Sequence, residues 1–348
     1  MRQLWIWIMT LLLPGRMAAG EVKVTPLVGF PDKEKGYEQG VSACFAGCID
    51  GYLVMAGGAN FAEKPVAEGG KKCFYKGIYA AKITRGDTLH WEMIGELPQA
   101  MAYGTTVKAG NSLILIGGQT TDGSTDAVYQ LSLKAGKAVI EVLPSLPTPT
   151  DNHCATAYKN KVYVAGGASN GKVNEDVLML NLKKPREGWQ KSEATLMPSV
   201  RNRIGQQAVC YVRKGELMVL GGFSTADEQY PAEVYDGPSG GALVQMNDGR
   251  LITAGGVNHE IFLDAISGRY ECVAKEDYLK QPVEWYKFDG RLQLYNPVTG
   301  TFTTITESPH LARAGAALVA YKDMIFSIGG ETKPGIRSPQ VTRVITKR

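Results

Sequence analysis

Val162-Tyr163-Val164-Ala165-Gly166-Gly167 is an apolar run that ends in two glycines, and it decides the fold because the pattern recurs along the chain. Five further copies end in the pairs Gly57-Gly58, Gly117-Gly118, Gly221-Gly222, Gly255-Gly256 and Gly329-Gly330. Successive pairs lie 60, 49, 55, 34 and 74 residues apart. A period of about 50 residues is typical of repeated blades of antiparallel sheet.

One repeat is clear enough to show how a blade is built. Cys154–Tyr158 and Val162–Ala165 are two strands joined by a tight turn, Asp176–Leu182 is a third, and a fourth begins at Trp189. We expect the first strand to line a central axis and the third and fourth to lie outside. Glycines at the end of the second strand lack a Cβ atom, which lets neighbouring blades approach closely.

This pattern resembles that of kelch propellers, so the expected fold is all-β, a six-bladed kelch-type β-propeller over residues 21–348. A closed ring of blades leaves no exposed sheet edge. Val341–Ile345 reads as a third strand with no fourth behind it, and Val22–Leu27 at the other end of the chain can supply that fourth strand. We therefore expect one blade to be closed by the N- and C-terminal strands.

The spacing is irregular around the fourth and fifth repeats. The 34-residue interval leaves too little chain for a full set of strands, so we expect one outer strand to be missing there. The following interval of 74 residues predicts an insert over about residues 258–288, with a short helix at His259–Ile266. A second insert follows the first glycine pair, over residues 59–76.

Composition limits the classes of function. A chain of 348 residues with 44% hydrophobic and 21% charged residues is neither disordered nor collagen-like, and its 41 glycines and 16 tyrosines favour many tight turns between strands. The formal net charge is only +4, which gives no indication of a nucleic-acid or membrane-surface partner.

The first 20 residues are typical of a secretory signal peptide. Arg2 precedes the apolar run Leu4–Leu13, which is shorter than the roughly 20 residues that a bilayer span needs, and small residues follow it. We expect cleavage near Gly20 and, in a bacterium, a periplasmic mature protein free of the membrane. Six cysteines could pair in that compartment, but we expect most to be small core residues.

Connectivity alone predicts where a site would lie. In a propeller, loops from the second to the third strand emerge on the same face as loops that feed the innermost strand. Polar residues stand at both kinds of loop, so we expect them to converge on the mouth of the central channel: Asn60, Tyr103, Gln119, Asp151-Asn152-His153, Arg201-Asn202-Arg203, Asn258, Arg313 and Glu331.

The segment after the last glycine pair is the most specific. Pro334-Gly335 predicts a turn that folds Arg337 back towards Glu331. Together they offer a carboxylate that can move a proton and a guanidinium that can bind a substrate carboxylate in bidentate fashion. Taken alone, a Glu and an Arg six residues apart are more often a surface salt bridge on a turn.

Several segments together resemble the N-acetylneuraminate epimerases, which are sialic acid mutarotases. They are Gly330-Glu331-Thr332-Lys333-Pro334-Gly335-Ile336-Arg337, Ala43–Gly47, Met55–Phe61 and Ala102-Tyr103-Gly104. The resemblance covers essentially the whole mature chain. Because the Glu331–Arg337 segment stands at the C-terminal end, the chain is similar to the branch called cyclically permuted mutarotases. A closed ring tolerates such rewiring.

The resemblance implies an isomerase that speeds interconversion of the α and β anomers of N-acetylneuraminate without a cofactor or a metal. It implies Glu331 as the proton acceptor and Arg337 as the residue that binds the sugar carboxylate. Glu68 matches the glutamate of a His-Glu-Gly segment of the family, although Ala67 stands where the family has histidine. Tyr103, His153 and Arg203 stand where further substrate-binding groups are expected.

Other functions remain open at this point. Kelch rings also host copper oxidases, but only His90, His153, His259 and His310 could ligate, which disfavours a histidine-rich metal centre. A non-catalytic propeller that binds sialylated glycans or a protein, or a mutarotase of another sugar acid, is an alternative. The sequence does not fix the oligomeric state, and a homodimer is one alternative.

Overall fold

A computed structural model describes residues 22–174, 176–192, 206–226 and 230–346, and it is an all-β propeller with five four-stranded antiparallel blades. From the axis outwards, blade 1 consists of Phe45–Ile49, Tyr52–Ala56, Gly77–Lys82 and Trp91–Glu96, blade 2 of Thr105–Ala109, Ser112–Thr120, Gly123–Lys134 and Lys137–Leu143, and blade 3 of Cys154–Tyr158, Lys161–Ala165, Val177–Asn181 and Trp189–Lys191. Blade 4 consists of Ala242–Gln245, Leu251–Ala254, Arg291–Asn296 and Thr301–Glu307, and blade 5 of Ala317–Tyr321, Met324–Ile328, Val341–Thr346 and Val22–Leu27.

Smaller elements decorate this frame. A two-stranded sheet, here called the inner hairpin, pairs Val209–Arg213 with Glu216–Leu220 between blades 3 and 4. Short pairs of strands follow four of the glycine pairs: Ala59–Asn60 with Cys73–Phe74, Ala168–Ser169 with Lys172–Val173, Phe223–Ser224 with Glu233–Val234, and Glu331–Lys333 with Ile336–Arg337. The helices are α1 at His259–Ile266 and α2 at Lys275–Tyr278, with 3-10 turns at Tyr37–Gln39, Val66–Glu68, Pro185–Glu187, Val283–Tyr286 and Pro309–Leu311.

Side chains that alternate along each strand pack against both neighbouring blades. In blade 2, Leu113 and Leu115 pack with Phe45 and Val54 of blade 1, whereas Ile114 and Ile116 face the other way. These two isoleucines join a cluster with residues of blade 3 such as Val162 and Val164. Since successive side chains of a strand point to opposite faces, an unbroken apolar strand is what a sheet buried on both faces requires.

The predicted closure of the ring is confirmed. Val22–Leu27 pairs antiparallel with Val341–Thr346 in continuous register, from Val22 opposite Thr346 to Leu27 opposite Val341. Blade 5 is therefore built from both ends of the described chain, and its outermost strand comes from the N-terminal side. A sheet shared between chain ends ties the ring shut without a covalent link.

The inner hairpin corrects one prediction. We expected a single outer strand to be missing near the fourth repeat, but the described residues provide neither outer strand there. Leu220 ends the hairpin, and the next inner strand begins at Ala242. The short pair Phe223–Ser224 with Glu233–Val234 uses most of the intervening chain, which leaves no length for two outer strands.

Both inserts lie where the spacing placed them. Helix α1 spans His259–Ile266 as predicted, and the Asn258 side chain caps it by accepting a hydrogen bond from the Ile261 N–H at 3.1 Å. All six cysteines are free thiols, and four of them are buried as expected: Cys44, Cys48, Cys154 and Cys210. No helix in the described part of the chain is long and apolar enough to span a bilayer.

The glycine pair before Glu331 gives a stability prediction. Gly329 has a φ of +60°, and a Cβ atom there would stand 2.3 Å from the carbonyl oxygen of Val41 in the neighbouring segment. We expect Gly329→Ala to lower the free energy of unfolding by at least about 2 kcal/mol, since left-handed backbone and a backbone clash add. Urea unfolding would measure this, with Gly300→Ala as the control: Gly300 also has positive φ but nothing within 4 Å of an added Cβ. Equal losses for both variants would contradict close blade packing as the cause.

Candidate active site

A closed ring of backbone hydrogen bonds surrounds the axis and fixes the mouth of the channel. The N–H of Ala43 donates to the Gly315 carbonyl, and the circuit continues through equivalent residues of every inner strand: Tyr103 to Ala43 at 3.0 Å, Asn152 to Tyr103 at 2.7 Å, Gln207 to Asn152 at 2.7 Å, Gly240 to Gln207 at 3.3 Å and Gly315 to Gly240 at 2.7 Å. Each of these residues has positive φ. The hydrogen-bonded backbone therefore fixes the positions from which the side chains of these residues extend around one opening.

The channel contains two adjoining cavities. Each inner strand contributes one residue that lines both cavities: Ala46, Thr106, Ala155, Cys210, Leu243 and Leu318. The cavity on the ring side has a volume of about 230 Å³, and Glu331 is among the residues that line it. Within the described residues, this mouth brings a carboxylate next to the ring.

Glu331 is held against the ring by its own backbone. It forms an isolated β-bridge with Ala314, the residue before Gly315 of the ring. Its side chain is about a quarter exposed, at 26%. Oxygen Oε2 accepts hydrogen bonds from Arg337 Nη1 and from the Gly335 N–H at 3.2 Å, whereas Oε1 has no hydrogen-bond partner among the described residues. One oxygen thus anchors the carboxylate, and the other is free to accept a proton.

Arg337 lies where the predicted turn brings it, paired in register with Glu331 across the short hairpin. Its side chain is 5% exposed, and all three nitrogens donate: Nε to the Ala59 carbonyl at 3.4 Å, Nη1 to Glu331, and Nη2 to the Tyr103 hydroxyl at 3.1 Å. Phe61 covers the guanidinium, with its ring centroid 5.2 Å away. Arg337 therefore orients Glu331 and Tyr103 in this structure, rather than presenting an unoccupied bidentate face.

Tyr103 combines an unusual backbone with a central side chain. A φ of +61° is rare for a bulky residue, and Tyr103 shares positive φ with the other five residues of the hydrogen-bonded ring. Its hydroxyl oxygen accepts from Arg337, which leaves the hydroxyl proton free to be donated elsewhere. Lys72 places its ammonium 4.3 Å from the centroid of the Tyr103 ring, so a second cation stands at this edge of the site.

His153 is among the residues that line the cavity, but its side chain is buried, with 4% of its surface exposed. Both ring nitrogens are buried, and neither has a hydrogen-bond partner in the part of the chain that the structure describes. The ring packs against Gly117, where an added Cβ would stand 2.8 Å from Cε1. Burial lowers the pKa of His153 to about 4, although the nearby carbonyls of Ile116 and Thr150 oppose that shift. The imidazole fills space between blades 2 and 3.

Of the two remaining predicted residues, only Glu68 lies in the described part of the chain, and it does not join the cluster. Glu68 ends the 3-10 turn Val66–Glu68 and is exposed, and no described residue forms an ion pair or hydrogen bond with its carboxylate. Its neighbour Val66 does reach the turn beside Glu331, because an added Cβ on Gly335 would stand 2.1 Å from Val66 Cγ1. Arg203, with Arg201 and Asn202, lies outside the described residues.

Three other polar residues expected at the mouth form hydrogen bonds with backbone groups of the fold instead. Asn60 is buried and donates to the carbonyls of Gly36 and Gly40, and Asn258 caps helix α1. Arg313 is buried inside blade 5, where it donates to the carbonyls of Ser327, Gly329 and Gln340. Burial lowers the pKa of Arg313 to about 10. A side chain from a loop can turn inwards and satisfy backbone oxygens, which connectivity does not reveal.

Sequence reasoning missed two residues at or beside the mouth, Gln207 and Lys72. Gln207 lines the cavity and donates to the Asn152 side-chain oxygen at 3.2 Å, so two amides face the opening together. Lys72 stands in an ordinary lysine pair, which reads as solvated surface. No signal in the sequence distinguishes them. Among the residues described, no three His, Cys, Asp or Glu side chains cluster in a way that could hold a metal ion.

Comparison with known proteins agrees with the repeat pattern and the blades. The KLHDC2/KLHL20/DRC7 Kelch-repeats domain matches residues 42–236, which is more than half of the chain. The chain belongs to the kelch-repeat family. The matched stretch of this kelch propeller runs from the first ring segment to the end of the pair Phe223–Ser224 with Glu233–Val234.

Several curated proteins that are similar to this kelch propeller are named N-acetylneuraminate epimerase. Over 232 residues it is 25% identical to the N-acetylneuraminate epimerase of Salmonella arizonae, with 58% of each chain covered. Over 119 residues it is 35% identical to that of Yersinia enterocolitica, which covers 31% of this chain and 29% of the relative. The Pasteurella multocida protein is 33% identical over 120 residues. The chain thus spans little more than half the length of the Salmonella arizonae relative and about a third of the other two.

Proposed function

We propose that this kelch propeller is a mutarotase that interconverts the α and β anomers of N-acetylneuraminate. The observation that carries the proposal is the Glu331 carboxylate, which has one oxygen anchored by Arg337 and Gly335 and the other free at the mouth of the channel. The names of its relatives support a sugar acid as the substrate.

The reaction needs one base and one acid on the same sugar. Glu331 accepts the proton of the anomeric hydroxyl, and the bond between the anomeric carbon and the ring oxygen breaks. The ring oxygen takes a proton from the acid, which leaves an open-chain ketone. Rotation and reclosure on the opposite face reverse both transfers, so no proton is gained or lost overall. General acid–base catalysis of this kind contributes about 10²- to 10⁴-fold.

Charges at the mouth orient the substrate. A sugar carboxylate is repelled by Glu331 and attracted by Arg337 and Lys72, which stand on the Tyr103 side. We place the carboxylate on that side, within reach of the remaining Arg337 hydrogens and the Lys72 ammonium. The amides of Asn152 and Gln207 face the same opening and can bind sugar hydroxyls.

Tyr103 is our candidate for the acid, because its hydroxyl accepts from Arg337 and keeps its own proton for donation. We expect Tyr103→Phe to lower kcat by about tenfold to a hundredfold while the melting temperature changes little. Tyr158→Phe is the matched control, since Tyr158 is exposed at the far end of an inner strand. Exchange rates measured by NMR at several pH values would test this. A Tyr103→Phe variant with wild-type kcat would remove Tyr103 from the mechanism.

The function itself is tested by following fresh α-N-acetylneuraminate, released by a sialidase, in proton NMR spectra. We expect micromolar protein to speed equilibration of the two anomers relative to heat-inactivated protein. The uncatalysed reaction proceeds by itself, so the initial rate rather than the endpoint is the readout. An unchanged rate would contradict the proposal.

We further propose that the inner hairpin is the inner half of a sixth blade. The ring of hydrogen bonds supports this, since Gln207 occupies the same position before the hairpin as Tyr103 does before blade 2. We also propose that residues 1–20 are a signal peptide and that the mature protein works in the periplasm, where sialic acid from outside the cell would first be met. The apolar run Leu4–Leu13 supports export.

A further inference from the structure

The insert of blade 4 builds a further cavity, separate from the two in the channel, behind Glu331. Helix α1, helix α2 and the 3-10 turn Val283–Tyr286 together enclose about 270 Å³, and Glu331 and Pro334 of the short hairpin form one wall. Glu331 lines this cavity as well as the channel mouth. A ligand bound at the free oxygen of Glu331 can therefore extend into either space.

The walls of this insert pocket are apolar and aromatic. Its main lining residues are Ile261, Phe262, Ala265, Tyr270, Tyr278 and Phe288. Each is only half-buried, although a closed core would bury such side chains fully. Apolar side chains that remain partly exposed around a cavity are typical of a binding pocket for small molecules.

The pocket is held rigidly against the hairpin that carries Glu331. Lys333 donates to the Gln281 carbonyl at 2.6 Å and to the Leu279 carbonyl at 3.5 Å, which ties the hairpin to the insert. Asp264 accepts from the N–H groups of Glu271 and Cys272 at 3.0 and 2.9 Å, and so fixes the loop after α1. Tyr278 packs edge-on against Trp285 and Tyr286. These contacts hold the walls of the cavity in place.

Charge and size define what fits. Glu331 is the one ionised group among the described lining residues, so an anionic group is repelled. Burial, and then Tyr286, Tyr270 and Glu331, raise the pKa of Tyr278 well above its usual value, which keeps its phenol neutral. A cavity of about 150 Å³ binds benzene in another protein, so 270 Å³ exceeds what an acetyl methyl group fills.

We propose that the insert pocket receives the acyl substituent of the sugar acid, and that it prefers an apolar acyl group larger than acetyl. This inference rests on the proposed function. It places the sugar ring at Glu331, the carboxylate on the Arg337 and Lys72 side, and the acyl chain on the opposite side among the aromatic residues of the insert. Each buried methylene contributes about fourfold to Kd.

The test compares N-acetylneuraminate with its N-phenylacetyl analogue by isothermal titration calorimetry and NMR exchange rates. We expect the analogue to bind at least about tenfold more tightly to the wild-type protein. Ala265→Trp fills the pocket and should abolish that advantage. Glu260→Trp is the matched control, since Glu260 is exposed on the same helix and does not line the pocket.

Two further arms keep the result decisive. Ala265→Leu is a milder filling variant in case the tryptophan disturbs folding, which circular dichroism would show. Binding of N-benzylacetamide, a neutral fragment without the sugar, tests the pocket alone. If neither sugar is turned over, but the fragment binds to the wild-type protein and not to Ala265→Leu, the mutarotase proposal fails and the pocket proposal stands. The pocket proposal would be overturned if the wild-type protein bound both sugars with equal affinity. It would also be overturned if Glu260→Trp lost the preference for the analogue as Ala265→Trp does.

Discussion

Glu331→Gln is expected to lower kcat for anomer exchange by about 10²- to 10⁴-fold, because the amide cannot accept the anomeric hydroxyl proton. The variant keeps the shape of the side chain, and its amide oxygen can still accept from Arg337 and Gly335. Removal of the negative charge leaves Arg337 without its ion-pair partner, so the anionic sugar should bind as well as before or more tightly. Rates from NMR exchange and Kd from calorimetry would separate the two effects.

The control for this prediction is Glu307→Gln, since Glu307 is an exposed carboxylate at the end of the outer strand of blade 4. It should keep wild-type kcat. A glycan-binding propeller without catalysis would show a different pattern: no acceleration in the wild-type protein and unchanged affinity in Glu331→Gln. A variant that exchanges anomers at the wild-type rate would show that Glu331 is not the base.

Stability should fall steeply as the pH drops from about 6.5 to about 4, and His153 is the reason. Burial lowers the pKa of His153 to about 4, whereas an unfolded histidine titrates near 6.5. Between these values the unfolded chain binds a proton that the folded protein does not. The stabilisation is therefore complete above the unfolded pKa and is lost as the pH falls through the folded pKa, by about 3 kcal/mol in total.

The measurement is the free energy of unfolding in urea at pH 7, 6, 5 and 4. His153→Leu should flatten the pH profile, because it removes the titrating group and two buried nitrogens that have no partner among the described residues. His90→Gln is the control, since His90 is exposed. A profile as steep in His153→Leu as in the wild-type protein would mean that other groups, such as paired carboxylates, cause the acid sensitivity.

His153 and Glu331 show which structural features could be predicted from the sequence and which could not. Both stand in loops that connectivity brings to one face, and the sequence indicated as much. The turn at Pro334-Gly335 is local, so it correctly predicted that Arg337 folds back onto Glu331. The direction of the His153 ring depends on Gly117 in another blade, a contact about 36 positions away in sequence that no local pattern reports.

The sequence alone determined the repeated strand ending in Gly-Gly, the sharing of blade 5 between the two chain ends, and helix α1 in the insert. These features depend on alternation, spacing and glycine geometry, which are properties of short stretches of chain. Only the tertiary structure decided that Arg337 also donates to Tyr103, that Arg313 serves the backbone of blade 5, and that the insert opens a pocket onto Glu331. Those contacts join residues far apart in the chain, and the path of the backbone around the ring decides which of them can form.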